Sequence, residues 1–194
     1  MTPEQIQEAM QFLRAATQEG IVFRTLFGEC RGEPIEAQVG VGCVLRNRLK
    51  DARWPNFYND VALQPAQFSC FRPQDPNFER LMDPEEHEAE SVLAQLRWVA
   101  KGIVDNFLRD NVAGANHYYD FSVIVGQGQQ KDDSCLGRYL EAVDKLLAPD
   151  RVLSHQEWQA ARDLIHTLVK DLPPRWDGEI LPCARKGRLI FFRL

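Results

Sequence analysis

The strongest constraint in this sequence is a helical apolar stripe near its middle. Val92, Leu96, Val99, Ile103 and Phe107 recur every three or four residues, and Ala89, Leu93 and Ala100 widen the stripe. The spacing predicts a helix over about 84–109, relaxed near Gly102, that must lie against a core. Other helices follow by punctuation. Thr2-Pro3-Glu4-Gln5 reads as a capped start, continued by Ile6, Met10, Leu13 and Thr17 and stopped by Gly20. Ile21, Val22, Leu26 and Phe27 predict a second short helix that breaks around Gly28–Gly32. Pro34 opens a third, from Ile35 to about Asp51, in which Gly40 and Gly42 imply close approach to another backbone.

Residues 52–83 contain four prolines, Pro55, Pro65, Pro73 and Pro76, so loops and short irregular elements are expected. Asn116–Phe121 is aromatic enough for a strand or a rigid wall, and 126–134 reads as a loop. Leu136, Leu140, Val143 and Leu147 predict a short helix. Ser154 and Glu157 have capping-box spacing ahead of a helix over 155–170, which Pro173-Pro174 stops. Arg188–Leu194 closes the chain as a short strand. The class is mainly α (α+β), expected as a single domain over 1–194, because 194 residues suffice for one core and no long linker divides them.

Charge and cysteine usage exclude several functions. The 23 Lys and Arg against 28 Asp and Glu give a net −5, so nothing global favours nucleic acid. Arg46–Lys50 and Arg185–Arg188 are local basic clusters that could make contacts, though such runs are more often a solvated face or a terminus. No run approaches 18 apolar residues, so no membrane span is expected. Five cysteines without CxxC spacing argue against a disulfide framework, and Met1–Gln5 lacks the start of a secretory signal. Cytosolic synthesis is therefore expected. The four histidines form no HExxH motif or compact His/Cys cluster, so no metal site and no cofactor is expected. Gly126-Gln127-Gly128 lacks the spacing of a phosphate loop; Cys43 with a histidine could make a protease-like pair, but the other cysteines dilute that choice and spacing supplies no geometry.

The chemically suggestive stretch is Phe27-Gly28-Glu29-Cys30-Arg31-Gly32-Glu33-Pro34. An acid beside Phe27, Gly28 and Cys30 can lie under an apolar wall, where lost hydration favours the protonated form. That is what a glycosidase needs in order to protonate a leaving sugar oxygen. Arg31 would oppose this if it reached Glu29. A surface acid, a helix cap and a core ion pair are alternative readings of Glu29. Glu33 can serve as a second carboxylate or as a cap for the helix after Pro34. Gln38 and Asn47 can organise the turn by hydrogen bonds, or be two exposed amides.

The run Phe23–Pro34, followed by Glu36–Val41 and Asn47-Arg48, resembles the cell-wall hydrolase family that includes spore-cortex-lytic enzymes. That family's pattern is an acid in a Gly-Glu-Ala-Arg-Gly-Glu-like turn, then a Gln-containing helix ending in Asn-Arg; Cys30 replaces the common alanine. Pro55-Asn56, Gln64–Ser69, Gly114–Tyr119 and the terminal Gly187–Phe192 resemble later blocks, the last without its usual histidine. The likeness covers about 20–120 and resumes near 173–194, leaving 121–172 as an inserted helical elaboration.

The resemblance implies a lysozyme-like fold with a small β or extended cleft region, acting on peptidoglycan glycan strands. Known members cleave between N-acetylmuramic acid and N-acetylglucosamine, often as lytic transglycosylases. Glu29 matches the catalytic acid. Within these blocks the Gln67 amide can bind sugar hydroxyls or acetamide groups, the Phe68 ring can cover a sugar face, and His117, Tyr118 and Tyr119 can form the opposite cleft wall; packing in the core or a loop is the alternative reading. A non-catalytic peptidoglycan-binding or morphogenetic protein, a muramidase and an N-acetylmuramoyl-L-alanine amidase are the alternatives. With no signal segment, delivery to the wall is expected through lysis, a virion or an export machine, as for a phage-associated lysin. The 121–172 elaboration would dock there through Trp158, Ile165 and Leu168, unless these simply pack in the core.

Overall fold

The computed structural model describes residues 1–65, 67–120, 133–148, 154–157, 159, 160, 163 and 182–193. Helices dominate, with one small antiparallel sheet, the mainly α class expected. Internal packing divides the chain into two compact units, Met1–Asn111 and Val112–Leu194.

Among its described residues the first unit contains five α-helices: α1 (Pro3–Ala15), α2 (Gln18–Cys30), α3 (Ile35–Leu49), the short α4 (Tyr58–Ala62) and α5 (Glu90–Val104). Helix α1 begins as read, with Thr2 and Gln5 forming a reciprocal capping box. It stops at Ala16 rather than at Gly20. The reason is Thr17, whose hydroxyl accepts the Gly20 N–H at 3.1 Å and so starts α2 early. Helix α2 is buried around most of its circumference, through Ile21, Val22, Phe23, Leu26, Phe27 and Cys30. It packs on α3, α4 and α5, as an all-round apolar helix must.

Helix α5 keeps the predicted stripe in Leu93, Leu96, Val99, Ala100 and Ile103, but it is shorter than 84–109. Pro84–Glu86 is a separate 3-10 turn, and Ala89 is the N-cap. At the other end Asn106 turns left-handed at φ 61°, and the Leu108 N–H bonds the Gly102 carbonyl at 3.1 Å. Phe107 is thereby expelled from the stripe to 52% exposure, edge-on to Trp98. Gly42 does mark a close approach, though to a side chain instead of a backbone. A Cβ there would stand 2.5 Å from Cγ1 of Ile103 on α5. Between α4 and α5 the chain is irregular as expected, with 3-10 turns at Ser69–Phe71 and Glu79–Leu81.

In the second unit, β1 (His117–Asp120), β2 (Pro182–Lys186) and β3 (Leu189–Phe192) form a sheet in the order β1-β3-β2. The closing strand pairs with the aromatic segment, His117 opposite Phe192 and Tyr119 opposite Ile190. Central position explains why all four residues of β3 are buried. Strand β2 was not expected from the basic run Arg185–Arg188. Its signal was the two-residue loop Gly187-Arg188, with Gly187 at φ 57° as a tight hairpin requires. Helix α6 (Asp133–Leu147) agrees with the apolar period there and packs on β2, with an Arg185–Asp144 ion pair between them. Ser154 and Glu157 make the predicted capping contacts. Residues 121–132, most of the 155–170 helix, and Trp158, Ile165, His166 and Leu168 lie outside the described residues.

Two glycines test this packing with opposite signs. Gly42→Ala forces Cβ into the buried, β-branched Ile103 and should cost about 1–3 kcal/mol. Gly137→Ala, in α6 with open space around its Cβ, should gain about 0.5–1 kcal/mol. Urea denaturation of each variant measures both.

Candidate active site

Glu29 occupies the last turn of α2, one residue before its end, and is half-buried. The chain then reverses through Arg31–Glu33, with the Glu33 N–H donating to the Cys30 carbonyl at 3.0 Å. Opposite this turn sits the 3-10 segment Ser69–Phe71. Its Cys70 N–H donates to Oε1 of Glu29 at 3.3 Å.

Gln38 locks the turn from α3. Its side chain is 1% exposed, and Nε2 donates to the carbonyls of Glu33 (3.0 Å) and Arg31 (3.3 Å). Its Oε1 accepts from Nε2 of Gln95 on α5 at 2.9 Å. Both ends of a buried amide are thus satisfied, which is the condition for burying one. Glu33 joins this lock through its main-chain carbonyl. The N-cap position of α3 falls on Pro34, one residue later. Asn47 lies at the far end of α3, about 18 Å along the axis from Ile35. There its Nδ2 donates to Asp110 at 3.1 Å, so its place is remote from the turn it was expected to organise.

Arg31 is directed elsewhere than Glu29. Nη1 donates to the Phe27 carbonyl and to Oδ1 of Asn77, both at 3.0 Å, and Nε lies 3.6 Å from the Glu88 carboxylate. The guanidinium also covers the Phe27 ring, 4.9 Å from its centroid. Asn77 donates in turn to the Gly28 carbonyl at 3.4 Å. These two side chains serve carbonyls at the C-terminal end of α2 that have no intrahelical partner.

Phe68 requires a correction. It is 3% exposed and lies 5.1 Å from the Arg48 guanidinium, which also sits 4.3 Å from the Trp54 ring. A ring enclosed in this stack offers no open face to a sugar, so it belongs to the core. Gln67 is half-buried beside it, its N–H closing a turn onto the Gln64 carbonyl at 3.2 Å. His117, Tyr118 and Tyr119 lie together on β1 of the second unit, all half-buried. Nδ1 of His117 is 2.7 Å from Oδ1 of the buried Asn116, and Tyr118 packs on Phe191 at 5.9 Å. Gln95, Asn77 and Cys70 were not singled out by sequence. None of the three is marked as a site residue by its neighbours in sequence, and each joins the site through distant pairing.

Two thiols flank the acid. Burial first, and the Glu29 charge next, push the Cys30 and Cys70 thiols well above the ordinary thiol range. Among the described residues no three His, Cys, Asp or Glu side chains converge as a metal site, and no helix is long and apolar enough to cross a membrane.

A sequence model of the cell wall hydrolases matches residues 32–135, just over half the chain. The chain belongs to the cell wall hydrolase family. The matched segment of this cell wall hydrolase holds Glu33, Gln38, Asn47, Gln67, Phe68 and His117–Tyr119; Glu29 precedes it by three residues. Over 50 residues, 26% of this chain and 18% of the relative, it is 38% identical to a spore cortex-lytic enzyme of Oceanobacillus iheyensis. Over 73 residues, 38% of this chain and 23% of the relative, it is 33% identical to the spore cortex-lytic enzyme of Bacillus subtilis strain 168. The matches span about a fifth of the length of these curated relatives. Among solved structures, the catalytic domain of the germination-specific lytic transglycosylase SleB from Bacillus anthracis aligns at 17% identity and a TM-score of 0.45, covering 92% of this chain and 98% of that one. The catalytic domain of the Bacillus cereus SleB protein aligns at 18% and 0.42, covering 92% and 93%.

Two outcomes are expected here. Gln38→Leu strands two carbonyls and the Gln95 amide, and should lower stability by about 2–3 kcal/mol in urea denaturation. The Cys30 thiol gives a pH dependence. Its folded value is raised, so the unfolded chain loses that proton first, near the ordinary value of 9.0. Stability should therefore fall as pH rises above about 9, and fall less in Cys30→Ala; denaturation midpoints at pH 8 and pH 10 measure the difference.

Proposed function

We propose that this cell wall hydrolase degrades peptidoglycan as a lytic transglycosylase, with Glu29 as its acid and base. The observation that carries this reading is a carboxylate held in a locked helix-end turn, three residues ahead of the segment that establishes the family. The partial matches to spore cortex-lytic enzymes support a wall substrate.

In this mechanism Glu29 protonates the glycosidic oxygen between N-acetylmuramic acid and N-acetylglucosamine. The resulting carboxylate then takes the proton of the muramic-acid C6 hydroxyl while that oxygen attacks the anomeric carbon. A 1,6-anhydro sugar forms, the leaving sugar keeps the first proton, and no water is consumed. One carboxyl group suffices, provided it comes within about 3 Å of both oxygens in turn. Hydrolysis would instead need a positioned water and, as a rule, a second carboxylate across the bond. Arg31 is committed to Phe27, Asn77 and Glu88.

Glu29→Gln (E29Q) keeps the shape of the side chain and removes its proton chemistry. It should still bind glycan while soluble product falls by at least about 100-fold. Mass analysis of the released fragments should give anhydromuropeptides. Reducing muropeptides would select a muramidase, and a cleaved lactyl–peptide amide would select an amidase. Glycan binding without turnover by the unaltered protein would select the binding-protein reading.

A further inference from the structure

We propose that Gly28 is a positioning residue: its missing side chain lets the turn Ser69–Phe71 seat the main-chain N–H of Cys70 on the Glu29 carboxylate. This rests on the reading of Glu29 as the acid. The N–H reaches Oε1 at 3.3 Å. A Cβ at Gly28 would stand 2.5 Å from the Cys70 Cβ, 2.7 Å from its Sγ and 3.2 Å from Cδ2 of Leu81. Non-bonded carbon atoms settle at about 3.5–4.0 Å, so any larger residue must push the turn off α2.

The surroundings of this contact have little room to yield. Cys70 and Leu81 are fully buried, as are Phe68 and Phe71 on either side of the turn. The N–H groups of Phe71 and Arg72 close that turn onto the Phe68 and Ser69 carbonyls at 3.4 and 2.9 Å. Leu81 is tied to the same helix, its carbonyl accepting from Nε of Arg24 at 2.9 Å. Gly28 is therefore the point of α2 on which two turns converge, one residue before the acid. Alanine would be the better helix former at this position, so close approach is what glycine supplies there.

The seat answers a mechanical requirement. A glutamate has three side-chain torsions, yet this carboxyl group must give a proton to one substrate oxygen and collect one from another. A donor fixed by the backbone limits that freedom. It also distinguishes the two carboxyl oxygens. In the protonated acid the oxygen that accepts the N–H is the carbonyl oxygen, so the proton rides on Oε2. Oε2 gives that proton to the glycosidic oxygen and then collects the one from the C6 hydroxyl. Oε1 keeps the Cys70 N–H through both steps.

Variants of the full chain test the proposal on peptidoglycan sacculi. Gly28→Ala (G28A) should lower kcat about tenfold while KM stays within about twofold, the scale of one hydrogen bond to a charged group. Adding Cys70→Gly removes both atoms that the new Cβ meets and keeps the N–H, so G28A/C70G should recover most of kcat. A second pair removes the N–H itself. Cys70→Ala (C70A) retains it and should turn over within about threefold of the parent. C70A with an ester in place of the peptide link before position 70 exchanges the N–H for an oxygen atom. That change should cost about tenfold in kcat relative to C70A at unchanged KM. A merely structural contact predicts equal kcat for the two, because every side chain is the same. This pair decides the question even where G28A does not fold. Parent-like kcat in G28A, no recovery in G28A/C70G, or equal kcat for C70A and its ester, beside an inactive E29Q, would overturn the Gly28 proposal alone. A fully active E29Q would overturn the acid assignment itself.

Discussion

The site depends on one buried amide. Gln38 has almost no access to water, so each polar atom of its side chain needs a protein partner. Those partners are the carbonyls of Arg31 and Glu33 and the amide of Gln95. A single side chain on α3 therefore fixes the turn that ends α2 and ties it to α5. Glu29 stands immediately before that turn, so its direction is set by the same bonds. Leaving any of these groups unpaired in the interior costs more than the bond gains when made, which gives the turn one conformation.

Around this lock, Arg31 is drawn away from Glu29. Arg31 lies two residues away and would be its natural partner by proximity. Instead the guanidinium serves Phe27, Asn77 and Glu88, and its flat face covers the Phe27 ring. Arg48 is likewise drawn between Trp54 and Phe68. The planar, weakly hydrated guanidinium suits such stacked and partly buried places better than an ammonium would. What approaches Glu29 from the Ser69–Phe71 turn is the Cys70 N–H, 3.3 Å from Oε1.

The two units differ in how their elements are specified. In the first, apolar helices bury one another, and the tightest point is Gly42 against Ile103. In the second, β3 lies between β1 and β2 and lends all four residues to the interior, while α6 covers β2. That register puts His117 and Tyr119 on one face of β1 and Tyr118 on the other, since side chains alternate along a strand.

Much of this was legible in the sequence because it is local. The Thr2 capping box, the α5 stripe, the break after Cys30 and the strand at Leu189–Phe192 arise from contacts a few residues apart, which residue order alone specifies. Boundaries failed where a second local signal competed: Thr17 overrode Gly20, and Asn106 turned Phe107 out of the stripe. The candidate acid could be named from its flanking residues, and the family from its ordered blocks. What holds that acid could not. Cys70 reaches Glu29 across 41 residues and Gln95 reaches Gln38 across 57. Phe68 looked like a sugar platform until its ring was found under Arg48. Periodicity says which side of an element is buried; it does not say which distant group meets it there. That choice is made when the elements pack and every buried polar atom must find a partner, and only the tertiary structure decides it.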